Sequence, residues 1–337
     1  MQEDDEMNLV AKLIKCDSID GKYIAEYEKN VYEMINYYEM NLYHLPVNEQ
    51  IRQEIDVIHH KNQANTCKFK GEIENITKAL EQNNVEYCIL AGIPMAERYH
   101  DRPNLRLQED IDFFTSEKNF GIIRNIMIEL DYREWNSNAL KKHITFIKDG
   151  HTPKGISLDG RCAVKFYRQM TDKNFGGIQY ERVVDYIEEY NGYRVLNTEA
   201  ALTHLIIHSH YYDFHPKVLA DIYMICKNGN CNWHKVNEMI EAFGVERIAS
   251  IVFLIMNKLG LSDIPLMKQD GDIIFLADLY LSKVFWEKVF IRLNAEEMTK
   301  LRCYCFDSDR FDTLYHAILK DKQQRRVSPM RSEFKIC

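Results

Sequence analysis

A chain of 337 residues with 46% hydrophobic and 28% charged residues can bury one large core or two ordinary ones, which excludes disordered and fibrous classes. Its 51 acidic against 43 basic residues give a net charge of −8, which argues against broad, sequence-independent capture of nucleic-acid backbone and leaves room only for a local basic groove. Nine cysteines, an odd number without the dense spacing of a disulfide scaffold, point to a reducing compartment.

The opening MQEDDEMNLV has neither the basic nor the apolar region of a signal peptide, and residues 1–20 read as frayed. The longest apolar run, Ile248 to Met256 broken only by Ser250, is too short to span a bilayer. The expectation is a cytoplasmic protein with no membrane partner. Residues 21–83 read as an N-terminal helical segment. From Lys22 to Leu45, Ile24, Tyr27, Val31, Met34, Ile35 and Tyr38 recur at helical spacing, and Pro46 ends that helix. A second helix is predicted from about Asn48 through Ile51, Ile55 and Ile58, and a third from Lys68 to Asn83 through Ile73, Ile76 and Leu80.

Next come the apolar run Tyr87-Cys88-Ile89-Leu90, a turn at Ala91-Gly92, a short helix, a loop with Pro103, and Asp110-Ile111-Asp112 leading into Phe113-Phe114. Strand alternation puts Asp110 and Asp112 on one face and Ile111 and Phe113 on the other. Two adjacent carboxylates are costly without a cation between them, and a divalent metal carrying a nucleoside triphosphate would supply it. A D-x-D pair on a solvated strand edge is the plain alternative, and a lone Gly after a strand is equally a turn glycine.

Gly92 after a buried strand, Ala96-Glu97-Arg98-Tyr99, Arg106 and Glu109-Asp110-Ile111-Asp112 together resemble the nucleotidyltransferase superfamily with a polymerase-β-type palm, and within it a family of uncharacterised bacterial nucleotidyltransferases. The likeness spans roughly residues 30–260, including Leu205-Ile206-Ile207-His208 and Asp221-Ile222. It implies an α+β fold: a palm over 84–170, a small mixed sheet with flanking helices, set between the N-terminal helical segment and a C-terminal helical domain over 171–320, with a basic tail over 321–337. It further implies Mg²⁺ (or Mn²⁺) on Asp110 and Asp112, a nucleoside triphosphate as substrate, phosphates near Gly92 and Ile93, and Arg106 orienting the acidic strand or neutralising phosphate. The acceptor, a small molecule, peptide or protein, is not specified, and bulk nucleic acid is disfavoured.

Three positions depart from that family. Ala91 replaces a Lys before Gly, Ile93 stands where many members place Ser, and Lys165 in Val164-Lys165-Phe166-Tyr167 stands where the third carboxylate is expected. A catalytically weakened palm that binds nucleotide or a partner without turnover is therefore the alternative reading, with Lys165 either filling a second-metal position or stabilising phosphate charge.

Around these residues, Asn119–Leu130 reads as a helix packed on the sheet, and Tyr132–Trp135 and His143–Lys148 as strands. Asp159-Gly160 reads as a hairpin turn between Ile156–Leu158 and Cys162–Tyr167. Tyr180–Tyr190 is predicted helical and turned by Asn191-Gly192, and Thr198–Tyr211 is a helix capped by Asn197. His204 and His208 lie one turn apart on it, with His210 and His215 close behind. With Asp221 the first two could hold a metal, but a structural or cleft-lining role is favoured. Cys226, Cys231 and His234 fit no closed zinc pattern. Lys235–Leu259 reads as bundle helices connected at Gly229 and Gly244, and Ala277–Leu293 as a further helix. Lys320, Lys322, Arg325, Arg326, Arg331 and Lys335 make the tail a solvated end, or a docking segment for a phosphate-rich partner.

Overall fold

The computed structural model describes residues 49–101, 103, 106, 108, 110–136, 143–148, 163–170, 177–211, 214, 216–261 and 270–281. The expected helix at 22–45, the Asp159-Gly160 hairpin, Glu109, His215 and the basic tail lie outside the described residues, as do the side chains of Ile51, Ile55 and Ile58.

One helix, α1, runs without a break from Glu49 to Gln82, where two were expected. No Pro or Gly pair interrupts 59–68, so the polar stretch between the two apolar stripes continues the helix instead of ending it. Its later half delivers Phe69, Ile73, Ile76 and Leu80 to the core. The chain then forms β1 (Cys88–Ile89), α2 (Ile93–Tyr99), β2 (Asp110–Phe114), α3 (Phe120–Glu129), β3 (Tyr132–Asn136), β4 (His143–Lys148) and β5 (Ala163–Tyr167). On α3 the inward stripe is Phe120, Ile123 and Ile126, whereas Ile122 and Ile128 are exposed.

The segment expected as a helix over 180–190 is instead two short 3₁₀ turns followed by β6 (Ile187–Tyr190), which pairs antiparallel with β7 (Tyr193–Leu196). Asn191 and Gly192 both take positive φ, 49° and 79°. Two left-handed residues between tyrosines make a tight hairpin whose twist matches the strands, and this overrides the acidic helical pattern. Beyond it lie α4 (Thr198–Tyr211), α5 (Pro216–Asn228), α6 (Trp233–Phe243), α7 (Glu246–Lys258) and α8 (Gly271–Leu281). Asn197 caps α4, accepting from Ala200 N–H at 2.9 Å, and Gly244 at φ 67° separates α6 from α7. No described helix is long and apolar enough to cross a membrane.

The seven strands form one mixed sheet in the order β3-β4-β5-β2-β1-β7-β6. β2 is central, antiparallel to β1 and parallel to β5, which in turn is antiparallel to β4. The sheet divides two apolar clusters. One face carries Tyr87, Ile89, Ile111, Phe113, Val164 and Phe166 against α1 and α3. The other carries Cys88, Leu90, Phe114 and Tyr167 against the C-terminal helices. Alternation along β2 therefore puts Asp110 and Asp112 on the face turned to those helices.

The first cluster is anchored by aromatic contacts: Phe113 stacks on Phe166 with ring centres 5.0 Å apart, and Tyr87 and Phe146 meet the pair edge-on. Phe166→Ala should lower the free energy of unfolding by about 3–5 kcal/mol, because the cavity opens directly beneath the acidic strand. Urea denaturation measures this, and a loss under about 1 kcal/mol would mean the ring is not packed as described.

Candidate nucleotide site on the β2–β5 strands

The geometry of the acidic strand is set by its neighbours. Leu90 N–H donates to Asp112 O at 3.0 Å, so β1 runs out toward Gly92 at the same sheet end where β2 begins with Asp110. On the other side Asp112 stands opposite Lys165, and Lys165 opposite Thr145. Residues opposite in a ladder share a face, so this row reads Thr145, Lys165, Asp112 across three strands.

Lys165 does face both acids. Its Nζ forms an ion pair with Asp110 Oδ2 and lies 3.9 Å from Asp112 Oδ1. The three side chains are 21% (Lys165), 30% (Asp110) and 16% (Asp112) exposed, buried enough to feel one another strongly and open enough to admit a ligand. Burial pushes the Asp110 carboxyl up, but the Lys165 ammonium beside it, helped by Lys217 and Arg106, more than reverses this and holds it below the usual carboxylate range. A cation therefore already sits where the pair needs one.

Gly92 carries φ 81° and ψ −136°, a backbone conformation that a side chain strains, and a Cβ there would lie 3.4 Å from Gln108 Oε1. Gly92 caps α2, accepting from Ala96 N–H at 3.0 Å, and Pro94 occupies the first turn. The Ala96-Glu97-Arg98-Tyr99 helix is an anchor. Ala96 and Tyr99 are buried, Tyr99 Oη lies 3.0 Å from Thr198 Oγ1, Glu97 pairs with Lys70, and Arg98 pairs with Glu188.

Arg106 and Asp221, 115 residues apart, meet in a two-pronged ion pair: Nε donates to Oδ1 at 2.9 Å and Nη2 to Oδ2 at 2.8 Å. His100 Nε2 lies 3.0 Å from the same Oδ1, and since a carboxylate only accepts, that nitrogen donates. Arg106 Nη1 also donates to Gln108 Oε1 at 3.3 Å, which connects the network to Gly92. All four residues, Arg106, Asp221, His100 and Gln108, are buried. Burial pushes the Asp221 carboxyl up, but Arg106 and His100 outweigh it and hold it well below the usual range.

Asp221 is thus committed to Arg106 and His100. His204 is buried and its ring sits 5.4 Å from that of His208. Among the described residues no group of three or more His, Cys, Asp or Glu is placed to hold a metal, a statement that covers the Cys226, Cys231 and His234 set as well. Burial pushes the Cys226 and Cys231 thiols up, the behaviour of inert packing residues. Sequence reasoning missed His100, Gln108 and Lys217. His100 and Gln108 flank the recognised motif, while nothing local marks Lys217, which only the fold brings close.

A family model described as an uncharacterised nucleotidyltransferase matches residues 36–260. No curated protein matches the chain. Two solved structures of the antibiotic-resistance factor ANT(2'')-Ia are similar at 16% identity. A solution structure covers 51% of this chain and 88% of its own with a TM-score of 0.36. A crystal structure with adenylyl-2"-tobramycin covers 51% and 95% with a TM-score of 0.34.

Asp221→Asn should destabilise the fold by about 3–5 kcal/mol near neutral pH, since it leaves the Arg106 charge buried without its counter-ion. The sign with pH follows from the lowered carboxyl. Its stabilisation is complete above the ordinary value of 3.8 and is lost as pH falls toward the lower folded-state value, so wild-type stability should drop below about pH 4. Denaturant melts of both proteins from pH 7 to pH 3 check this: the gap between them must narrow with acid, and a constant gap contradicts the assignment.

Proposed function

Because the chain belongs to the uncharacterised nucleotidyltransferase family, we propose that it moves a nucleoside monophosphate from a nucleoside triphosphate to a hydroxyl or phosphate of an acceptor at the Asp110–Asp112 pair. The observation that carries this reading is the row of Asp110, Asp112 and Lys165 on one partly open sheet face, at the end where β1 turns at Gly92. In the reaction the acceptor oxygen forms a bond to the α-phosphorus, the bond from that phosphorus to the bridging oxygen breaks, pyrophosphate leaves with its electron pair, and the proton of a hydroxyl acceptor passes to solvent water.

Two carboxylates suit one Mg²⁺ (or Mn²⁺), because Mg²⁺ keeps several waters and draws its other ligands from substrate phosphates. They do not suit a second ion, whose third carboxylate is replaced by Lys165. When bound, the single ion neutralises triphosphate charge. The chain's own residues do the rest. Asp110 and Asp112 fix the ion, Lys165 supplies the second positive charge and stabilises the charge that builds on the transferring phosphoryl group, and the backbone at Gly92 and Ile93 approaches the phosphates. Arg106 acts as a positioning residue, because its guanidinium is bonded to Asp221 and holds the strand entry. The acceptor is a small molecule, peptide or protein, with the net charge of −8 weighing against bulk nucleic acid.

The same ion pair supports a second reading. With Lys165 held by both acids, the palm binds nucleotide or a partner without turnover. Thermal denaturation with ATP, CTP, GTP or UTP, with Mg²⁺ and with chelator, separates the two. Nucleotide at about a hundred times its Kd stabilises by about 2.7 kcal/mol, a readable rise in melting temperature. The enzyme predicts a metal-dependent rise abolished by Asp112→Ala together with pyrophosphate release, the nucleotide-binding module predicts the rise alone, and no rise with any triphosphate sinks both of these and leaves only a palm that binds a partner.

A further inference from the structure

Lys165 Nζ pairs with Asp110 Oδ2 and lies 3.9 Å from Asp112 Oδ1, so one ammonium sits against both carboxylates. It is held there from the backbone up. β5 is an inner strand, parallel to β2 on one side and antiparallel to β4 on the other, with Lys165 opposite both Asp112 and Thr145. Val164 and Phe166, its neighbours along the strand, are fully buried in the opposite cluster, which fixes the Cα of Lys165 and leaves only its side-chain torsions to move. The three side chains sum to one negative charge. A free divalent ion added at the same oxygens would turn that sum into one positive charge and stand within a few ångströms of the ammonium, where like charges repel strongly at a part-buried site. Displacing Lys165 costs such an ion the existing pair. An ion that arrives on a polyphosphate changes the balance, because the phosphate oxygens that come with it accept the ammonium.

We infer that Lys165 is a specificity-determining residue that makes the Asp110–Asp112 pair accept a divalent cation as its polyphosphate complex in preference to the free ion. The inference rests on the nucleotide reading above and adds to it the form in which the metal enters. Lys165 is an internal competitor for the two carboxylates. Against a free ion the pair is lost without replacement. Against the complex it is exchanged: the ammonium passes from carboxylate oxygen to phosphate oxygen and stays beside the transferring group. A carboxylate at position 165 would do the reverse, adding a ligand that draws free metal in ahead of the substrate.

Titration of the full chain with free Mn²⁺, followed by electron paramagnetic resonance, and with MnATP, followed by calorimetry, tests this on wild type, Lys165→Met, Lys165→Arg and the double variant Lys165→Met, Asp112→Asn. A contact between charged groups corresponds to about a ten- to hundredfold change in Kd. Lys165→Met should tighten free Mn²⁺ by that factor. MnATP, which exchanges the pair instead of losing it, should change by much less, so the preference for the complex over the free ion narrows. Lys165→Arg should keep the wild-type preference, and the added Asp112→Asn should abolish the gain. Free Mn²⁺ binding by Lys165→Met equal to wild type overturns the inference while the nucleotide reading stands, and so does a gain that survives Asp112→Asn, since the ion would then sit elsewhere. If circular dichroism shows that Lys165→Met does not fold, Lys165→Gln carries the same comparison. A wild-type protein that binds no MnATP removes the nucleotide reading itself, and the inference with it.

Discussion

The buried carboxylate of Asp221 is the constraint on which the arrangement depends. Two planar groups, a guanidinium and a carboxylate, meet with two parallel hydrogen bonds, and an imidazole takes a further lone pair. Such a cluster adds little net stability compared with apolar packing, because desolvating the charges consumes most of what their attraction returns. Its consequence is orientational. Arg106 belongs to the loop entering the acidic strand, His100 follows the helix capped by Gly92, and Asp221 sits in the middle of α5, so one cluster sets three elements relative to one another.

With those elements set, the electrostatics of the acidic pair follow from the sheet register. Parallel pairing of β2 with β5 places Asp112 opposite residue 165 whatever that residue is. A carboxylate there would add a third negative charge and demand more metal; a lysine removes that demand. Lys165 makes the cation beside the acids at rest a tethered ammonium. It leaves the scaffold untouched, because Val164 and Phe166 on either side face the opposite, apolar cluster.

Much of the scaffold was legible from periodicity. The D-x-D alternation, the apolar strand before Gly92, α3, β4 and the Asn197-capped α4 all stand where the pattern places them, because in each case local propensity and burial agree. Where the two disagree, the sequence misleads. Residues 59–68 lack an apolar stripe and look like a break, yet nothing in them stops a helix. Residues 187–190 carry two glutamates and look like a solvated helix, yet a tight Asn-Gly turn and pairing with Tyr193–Leu196 make them an edge strand. The parallel contact of β7 with β1 is long-range, and no local signal announces it.

Candidate-site residues divide along the same line. Asp110, Asp112 and Gly92 are visible because strand alternation and a strand-to-turn glycine are local patterns. The partner of Arg106 is not, because that contact spans 115 positions and the sequence offers Arg106 to the acidic strand or a phosphate and Asp221 to a metal or the cleft. Lys217 is further still from legibility, since its charge bears on Asp110 only through the fold. The ion pair that fixes α5 therefore has to be found before the groups gathered around the acidic strand can be named, because it is the long-range contact that brings the helix there.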